Sequence, residues 1–483
     1  MGVLIAWSGL KLIVATMPPD LIPAESVIGL NLWVMAFALV LTVLTPLIFG
    51  LAPALQAARR DLNDPLRESG RGVIGGVRPG RMRDAVVIME VAVSLMLLVG
   101  AGLLTRSFVA MRKVNLGLQA DHVFETPLLL PSSRYQTVAQ VNRLFQPLLV
   151  RVKTLPGVVD AAESSASPPD RGDDSKIEIS GKPLEQAWHA QVRGVSEAFF
   201  RVLRIPFSTG RAFSETEINE ARKVAVVNQT FVSTYLHGED PIGRRVRLAL
   251  LESLANPVRD PWFEIVGVVT DVANQGSPQY GGGGLRAPIE PEVWVPYTVA
   301  ALGVQTLMVR SKQTPMALVQ DVQQAVWATD SGVALVNPTA LEDAIGQELY
   351  VGPRFALVLM IIFGCVGLIL VTVGVYSVLA YATTQRTHEI GIRMALGAER
   401  ADVLRLVIGK GLRLVASGVV IGLVVSLLLG RVIEAELWRG VKPYDPVTLA
   451  GMAIVLTLVA LLACYIPARH AMRVDPLSAL RYE

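Results

Sequence analysis

A stretch of 13 residues, 386–398, combines small and charged side chains at a spacing that suits docking to another protein. As a helix it places Gly391, Ala395 and Ala398 on one face, since they lie four and three residues apart. A strip of small side chains allows a partner backbone to approach closely. Two interpretations are open: a helix that lies on lipid headgroups, or a segment that docks a cytoplasmic partner and transmits its movement.

The same stretch also carries two charged residues that could take part in docking. Glu389 and Arg393 lie four residues apart on the helix, so they can pair with each other or with charges on a partner. Gly397 is a typical helix end, and a second helical pattern starts after it. The docking hypothesis therefore rests on Glu389, Gly391, Arg393, Ala395, Gly397 and Ala398.

Catalytic and metal-binding patterns are missing from the sequence. The five histidines are scattered, without a paired metal-ligand spacing, and no G-x-x-x-x-G-K-[ST] phosphate loop occurs. Asp170, Asp173 and Asp174 form an acidic cluster but lack the spacing and the bidentate Glu of a calcium loop, so a solvated loop is predicted. We therefore expect neither an enzyme nor a metal centre in this chain.

Glu90 is a charge inside an apolar run, where ionisable residues are costly. Its place near one end of the run lowers that cost, because the side chain can reach the headgroups or a neighbouring helix. A structural role and a role in coupling movement both remain open.

The composition is that of a membrane protein. Of 483 residues, 52% are hydrophobic and only 18% are charged, and 44 Lys and Arg against 41 Asp and Glu leave a net charge of +3. Such a chain has too much apolar surface for a water-soluble globule. The composition excludes a disordered chain and a basic nucleic-acid binder, and it disfavours a cytosolic enzyme.

Five apolar runs are long enough to cross a bilayer, which takes about 20 residues each, and a sixth run at the N-terminus is short, so about six spans are predicted. The run at the N-terminus is the shortest and contains Lys11; we interpret it as part of a span rather than a signal peptide, because another full span follows. The predicted spans are residues 1–17, 32–55, 85–104, 355–380, 412–429 and 449–466.

Arginine and lysine in the connecting segments predict the orientation. The segment between Leu55 and Ala85 holds seven arginines, and residues 381–413 hold six basic residues, whereas residues 18–31 hold none. With alternating spans, the basic segments fall on the cytoplasmic side. The long stretch from about Ser107 to Pro353 then lies outside.

The outer stretch is predicted to be a folded α/β domain. Helical periodicity occurs at residues 138–152 and 316–329. Strand-like runs occur at residues 176–179, 224–227, 264–269, 292–295 and 306–309.

An internal repeat links the two ends of the chain. At a constant offset of 414, the residues from Pro53 to Arg67 and from Pro467 to Arg481 share seven identities in fifteen positions, against about one expected by chance. Residues 1–66 therefore look like the end of one unit and residues 81–483 like a complete second unit. We expect that the chain begins inside a longer design, by truncation or by gene splitting.

Several motifs resemble those of the FtsX-like permeases, the MacB-type membrane subunits of ATP-binding-cassette (ABC) systems. The run from Glu389 to Ala398 resembles the signature of that family, and the tail from Pro467 to Glu483 is similar to its C-terminal ending. In the outer stretch, residues 224–228, 238–246 and 265–269 resemble the MacB-like periplasmic core. The duplicated layout resembles large permeases of the acidobacterial type that here lack their N-terminal part.

The resemblance implies a polytopic α-helical membrane protein with about six transmembrane helices and a large α/β periplasmic MacB-like core domain. The implied domains are the end of a first permease repeat (1–66), a cytoplasmic linker (67–84), a transmembrane helix (85–105), the periplasmic core (106–353) and an FtsX-like permease domain (354–483) with a coupling segment at 381–411. The implied location is the bacterial inner membrane.

The resemblance also implies mechanotransmission. A separate ABC ATPase subunit binds ATP, this chain holds no cofactor, and the movement of the ATPase reaches the outer domain through the helices. Membrane lipid, a periplasmic adaptor and a second permease unit are further implied partners, and nucleic acid is not. The alternative is a non-transporting scaffold that signals to an envelope partner such as a cell-wall hydrolase.

Overall fold

The apolar runs of the chain form long helices, since a helix satisfies its own backbone hydrogen bonds where water is missing. The computed structural model describes residues 2–16, 29–58, 79–183, 187–276, 284–300, 302–385, 400–433 and 441–471. In chain order the helices of these residues are α1 (Gly2–Thr16), α2 (Leu32–Ala58), α3 (Pro79–Met111), α4 (Val138–Lys153), α5 (Phe199–Val202), α6 (Glu215–Asn219), α7 (Gln229–Phe231), α8 (Val319–Thr329), α9 (Leu341–Ile345), α10 (Val351–Gln385), α11 (Arg400–Ile433) and α12 (Pro446–Ala471).

Four helices in the described part of the chain are long and apolar enough to cross a bilayer. They occupy Met82–Met111, Leu341–Thr384, Leu404–Gly430 and Pro446–Arg469. These helices coincide with four of the predicted spans, and the chain is a membrane protein. α1 has 15 residues, and the described apolar part of α2, Leu32–Leu44, is shorter than a span. The total of six therefore stays a prediction.

The chain divides into two units: Met1–Arg112 together with Pro353–Glu483, and Lys113–Gly352. The first unit contains the long apolar helices, and the second is an α/β unit. The apolar core of the helical unit is formed by buried side chains from four helices, among them Val91 and Leu95 of α3, Val375 of α10, Val415 of α11 and Ala460 of α12. The α/β unit follows α3 in the chain and precedes α10.

The α/β unit is built on one connected sheet of twelve strands in its described residues. They are β1 (Val123–Leu129), β2 (Val158–Ser164), β3 (Asp173–Ile179), β4 (Trp188–Val195), β5 (Phe207–Gly210), β6 (Val224–Asn228), β7 (Arg245–Leu248), β8 (Trp262–Val269), β9 (Glu292–Pro296), β10 (Thr306–Ser311), β11 (Ala334–Leu335) and β12 (Thr339–Ala340).

Six strands of this sheet close into a ring. They follow one another in the order β4-β3-β7-β8-β6-β9, and β9 returns to pair in parallel with β4. Alternate residues of these strands, such as Val192, Val227 and Val246, share one apolar cluster with Phe231 and Phe263. Because side chains alternate across a strand, a single face of each strand supplies this core.

Of the remaining strands, β5 pairs with β8 of the ring, and the other five form an antiparallel sheet with the order β11-β1-β10-β2 and with β12 on β1. It joins the ring through a single residue pair, Ser164 with Val195. α4 packs against β2 through a buried stripe that includes Phe145 and Leu148. A capping box at Thr137, with Gln140 at the third helical position, fixes the start of α4.

The predicted elements of the α/β unit are confirmed within one to three residues. The helix predicted at 138–152 is α4, and the second predicted helix is α8 preceded by a 3₁₀ turn at Pro315–Leu318. All five predicted strands are present as β3, β6, β8, β9 and β10. Seven further strands, among them β2 and β4, were not predicted.

Candidate functional site

The predicted docking residues lie outside the described residues. Glu389, Gly391, Arg393, Ala395, Gly397 and Ala398 fall between α10, which ends at Gln385, and α11, which begins at Arg400. Their role stays a prediction. The helices that flank them are described, so the site can be built from the contacts of these helices.

α3 is the central helix of the helical unit. In its most apolar window 61% of the residues are buried, against 17% to 28% in the other three candidate spans. Val91 and Leu95 have no exposed surface, and Val87 has almost none. A helix that contacts protein around most of its circumference can pass a displacement to all of its neighbours.

Glycines of α10 allow this helix to lie against α3. Three α3 side chains at successive four-residue intervals face three glycines of α10: Glu90 faces Gly374, Ser94 faces Gly367, and Leu98 faces Gly364. The Ser94 hydroxyl donates a hydrogen bond to the Gly367 carbonyl at 3.1 Å. Of the two predicted positions of the Glu90 side chain, at the headgroups or against a neighbouring helix, the contact with Gly374 favours the second. Among the described residues, Glu90 has no hydrogen bond or ion pair, and its role stays a prediction.

Glycines of α11 bring this helix to a second face of the same α3 segment. A Cβ atom at Gly418 would lie 2.6 Å from side-chain carbons of Val91 and 2.9 Å from the Ile88 carbonyl oxygen. At Gly422 it would lie 2.9 Å from the Ala92 carbonyl oxygen. Real Cβ atoms do not approach this closely, so both positions need glycine for the observed packing.

Ion pairs mark both ends of the central helix. Arg106 pairs with Asp445, which also caps α12 by accepting hydrogen bonds from the backbone N–H of Thr448 at 3.0 Å and from its hydroxyl at 2.6 Å. These Thr448 contacts, with Arg106, lower the pKa of Asp445. Near the other end, Lys410 lies 3.6 Å from Asp84. At 1.5 Å per residue, Asp84 and Arg106 are about 33 Å apart along α3, close to the ~30 Å of a bilayer core.

A second candidate site is a cavity of about 540 Å³ in the α/β unit. Four carboxylates line it: Glu125, Asp170, Asp173 and Glu348. The prediction of a solvated loop is therefore wrong: Asp170 and Asp173 are partly buried at the cavity, and Asp174, although exposed, belongs to β3 together with Asp173. The described residues contain no group of three or more side chains placed to hold a metal ion.

Burial keeps the cavity carboxylates protonated at higher pH than usual. Burial raises the pKa of Glu125 to about 7, although the Ser167 hydroxyl donates a hydrogen bond that acts in the opposite direction. Asp170 and Glu348 hydrogen-bond to each other, and burial raises the pKa of Asp170. Since two carboxylates bond to each other only through a proton, this pair holds one.

Arg193 does not line the cavity, but it holds two residues that do, Ala166 and Asp170, and its own side chain is only 1% exposed. Its Nε donates to Glu292 at 2.8 Å. Its two terminal nitrogens donate to the carbonyl oxygens of Ala166 at 2.7 Å and of Asp170 at 2.8 Å. One buried guanidinium therefore fixes the loop that carries Asp170.

The stability of the α/β unit is expected to fall as pH rises from about 4.5 to 7. In this window folded Glu125 holds its proton while unfolded Glu125 loses it, so folding becomes less favourable, by about 3 kcal/mol once pH exceeds 7. Glu125→Gln should remove this part of the slope, measured as the urea midpoint of the purified chain from pH 5 to 8. The exposed Glu264, changed to Gln, is the control. A slope in Glu125→Gln that is as steep as in the parent chain would contradict the assignment.

Two family models match most of the chain. The model described as the MacB-like periplasmic core domain matches residues 85–329, and the model described as the FtsX-like permease C-terminal region matches residues 361–476.

Curated relatives carry export names. A macrolide export ATP-binding/permease protein, MacB 2 of Aeromonas hydrophila, is 27% identical over 299 residues, which are 60% of this chain and 43% of that protein. MacB of Hahella chejuensis, also named a macrolide export ATP-binding/permease protein, is 26% identical over 305 residues, or 62% of this chain and 44% of that protein. The chain thus spans less than half of the length of these relatives.

Among solved structures, the periplasmic region of MacB from Actinobacillus actinomycetemcomitans aligns with 49% of this chain and 96% of its own, at 12% identity and a TM-score of 0.32.

Proposed function

The chain belongs to the family of FtsX/MacB-like permeases, and from this membership we propose that it is the membrane subunit of an ABC-type export system. A separate ATPase binds and hydrolyses ATP. The permease chain converts the ATPase's movement into movement of the α/β unit, and substrate is expelled or released at the outer side. The bacterial inner membrane is the proposed location, with α1 and α2 as two further crossings and the α/β unit in the periplasm.

The observation that carries this proposal is the place of the α/β unit in the chain. It lies between α3 and α10, two helices of 33 and 35 residues that contact each other through Glu90, Ser94 and three glycines. α9, a π-helical turn at Gly346–Tyr350 and α10 follow one another without a break in the chain. The cavity residue Glu348 therefore belongs to the same helical stretch as the candidate membrane span. A shift of α3 against α10 therefore pulls on both ends of the α/β unit.

The ATPase is proposed to act on the segment between α10 and α11, where Glu389, Gly391 and Arg393 stand with Ala395, Gly397 and Ala398. This segment joins the two helices whose glycines contact two different faces of α3. Force applied there reaches α3 through both helices. A periplasmic adaptor and a second permease unit are proposed as further partners.

Association with an ATPase is expected to depend on this segment. When the tagged chain is purified from its native membranes, an ATPase subunit with a G-x-x-x-x-G-K-[ST] motif should co-purify with it. ATP hydrolysis activity should elute from the column in the same fractions as the chain. Gly391→Trp blocks close approach of a backbone and Arg393→Glu reverses a docking charge, so either change should remove most of the ATPase while the chain remains in the membrane.

The control is Arg354→Glu, which reverses an exposed charge at the opposite end of α10. It should retain the ATPase. Full retention in both Gly391→Trp and Arg393→Glu would count against ATPase docking at this segment.

A further inference from the structure

A basic cavity of about 300 Å³ lies between the C-terminal end of α10 and the first half of α11. Its apolar wall comes from both helices. Leu379 lies on α10, and Leu406 and Val407 lie on α11. Its polar wall consists of Thr383, Lys410 and Arg413. A cavity with cations on one side and aliphatic carbons on the other suits a ligand that is itself anionic at one end and apolar at the other.

The two cations share one face of α11, since they lie three residues apart. Arg413 is exposed and has no ion pair within the described ranges of the chain. The Lys410 side chain is 42% exposed, and its Nζ forms an ion pair with one acidic group, Asp84, at 3.6 Å. A third cation, Arg83, stacks on the ring of Tyr381, which lies in α10 between the cavity residues Leu379 and Ala382. The cations therefore exceed the acids at this cavity by two.

The cavity lies where the apolar sequence of both helices ends. The candidate span of α10 ends at Thr384, and that of α11 begins at Leu404. Cationic side chains at this depth reach lipid phosphates, and basic pockets between transmembrane helices are suited to anionic headgroups. A free phosphate would use only the cations and would leave the apolar wall empty. A phospholipid uses both walls.

We propose that this cavity binds one anionic phospholipid, with its phosphate at Lys410 and Arg413 and its acyl chains along Leu379, Leu406 and Val407. None of the residues that line the cavity belongs to the proposed ATPase segment or to the α/β unit. It gives the helical unit a preference for anionic bilayers, because an anionic lipid there joins α10 to α11 through non-covalent contacts.

Native mass spectrometry of the full chain in detergent tests the proposal, with equal amounts of dioleoylphosphatidylglycerol and dioleoylphosphatidylcholine added. The wild-type chain should retain the phosphatidylglycerol adduct in preference to the phosphatidylcholine adduct. The double change Lys410→Gln with Arg413→Gln should lower that preference by roughly five-fold per cation removed. Each Lys or Arg near an anionic membrane surface raises the binding constant by about this factor. Excess inorganic phosphate should not displace the lipid.

Arg405→Gln is the matched control, since Arg405 is an exposed cation of α11 outside the cavity. It should keep the wild-type preference, and labelling of the buried Cys464 on heating checks that each variant is folded. An unchanged preference in the Lys410/Arg413 variant, an equal loss in Arg405→Gln, or displacement of the lipid by inorganic phosphate would each overturn the proposal.

Discussion

Replacing Arg193 with methionine is expected to lower the free energy of unfolding of the α/β unit by about 3–5 kcal/mol. The change removes the cation that pairs with Glu292, whose side chain is only 1% exposed. Within the described residues, the one hydrogen bond that this carboxylate then keeps is donated by the Asn274 amide at 2.9 Å. It also removes the donors to Ala166 and Asp170. Urea unfolding of the purified chain, followed by tryptophan fluorescence, measures the loss, because the buried Trp294 pairs with Arg193 across β4 and β9.

Two variants separate the buried pair from a general effect of charge. Arg201 is 60% exposed and pairs with Asp160 at 3.1 Å, so Arg201→Met should cost less than about 1 kcal/mol. Arg193→Met combined with Glu292→Met should regain most of the lost stability, since no unpaired buried charge remains. If Arg201→Met were as damaging as Arg193→Met, the buried pair would not be the cause.

Alanine at Gly418 or at Gly422 is expected to destabilise the helical unit by about 1–3 kcal/mol for each change. The added methyl group meets Val91 and the Ile88 carbonyl in the first case and the Ala92 backbone in the second, and none of these groups can rotate away. α11 must therefore separate from α3. The same change at Gly374 should cost less, because it meets only the flexible end of Glu90.

The thiol of Cys464 provides the measurement. It is buried, whereas Cys365 is exposed, so in a Cys365→Ser background a thiol-reactive dye labels the chain only when the helices separate on heating. Gly418→Ala and Gly422→Ala should be labelled at a lower temperature than the parent. Gly409→Ala, on the same helix with open space around the added methyl, should match the parent. A similar shift in all three would refute the role of close packing.

Hydropathy predicted the elements of this fold best where burial and apolar sequence coincide. Residues 224–227 of β6 and 293–296 of β9 are continuous apolar runs and could be located from the sequence, as could the four long helices. β2 and β4 were missed because each contains buried charge. Glu163 in β2 is fully buried, and burial raises its pKa well above the usual value. A hydropathy pattern treats such a residue as exposed.

The candidate sites were predictable only to the extent that their contacts are local. Glu90 could be singled out from its apolar neighbours, but the glycine against it is Gly374, far along the chain. Asp170 looked like a solvated loop residue because the groups that bury it, Arg193 and Glu348, come from later elements. Only tertiary structure brings these residues together.

The central place of α3 has a consequence for biogenesis. The helix ends at Met111, whereas its partner α10 begins at Val351, 240 residues later. At a translation rate of roughly 5–20 residues per second, α3 is complete about 12–48 s before its first partner is synthesised. During that interval neither α10 nor α11 is present to cover Glu90 and the faces of α3 that the glycines of these two helices later contact. The insertion machinery or the surrounding lipid must shelter it until the later helices arrive.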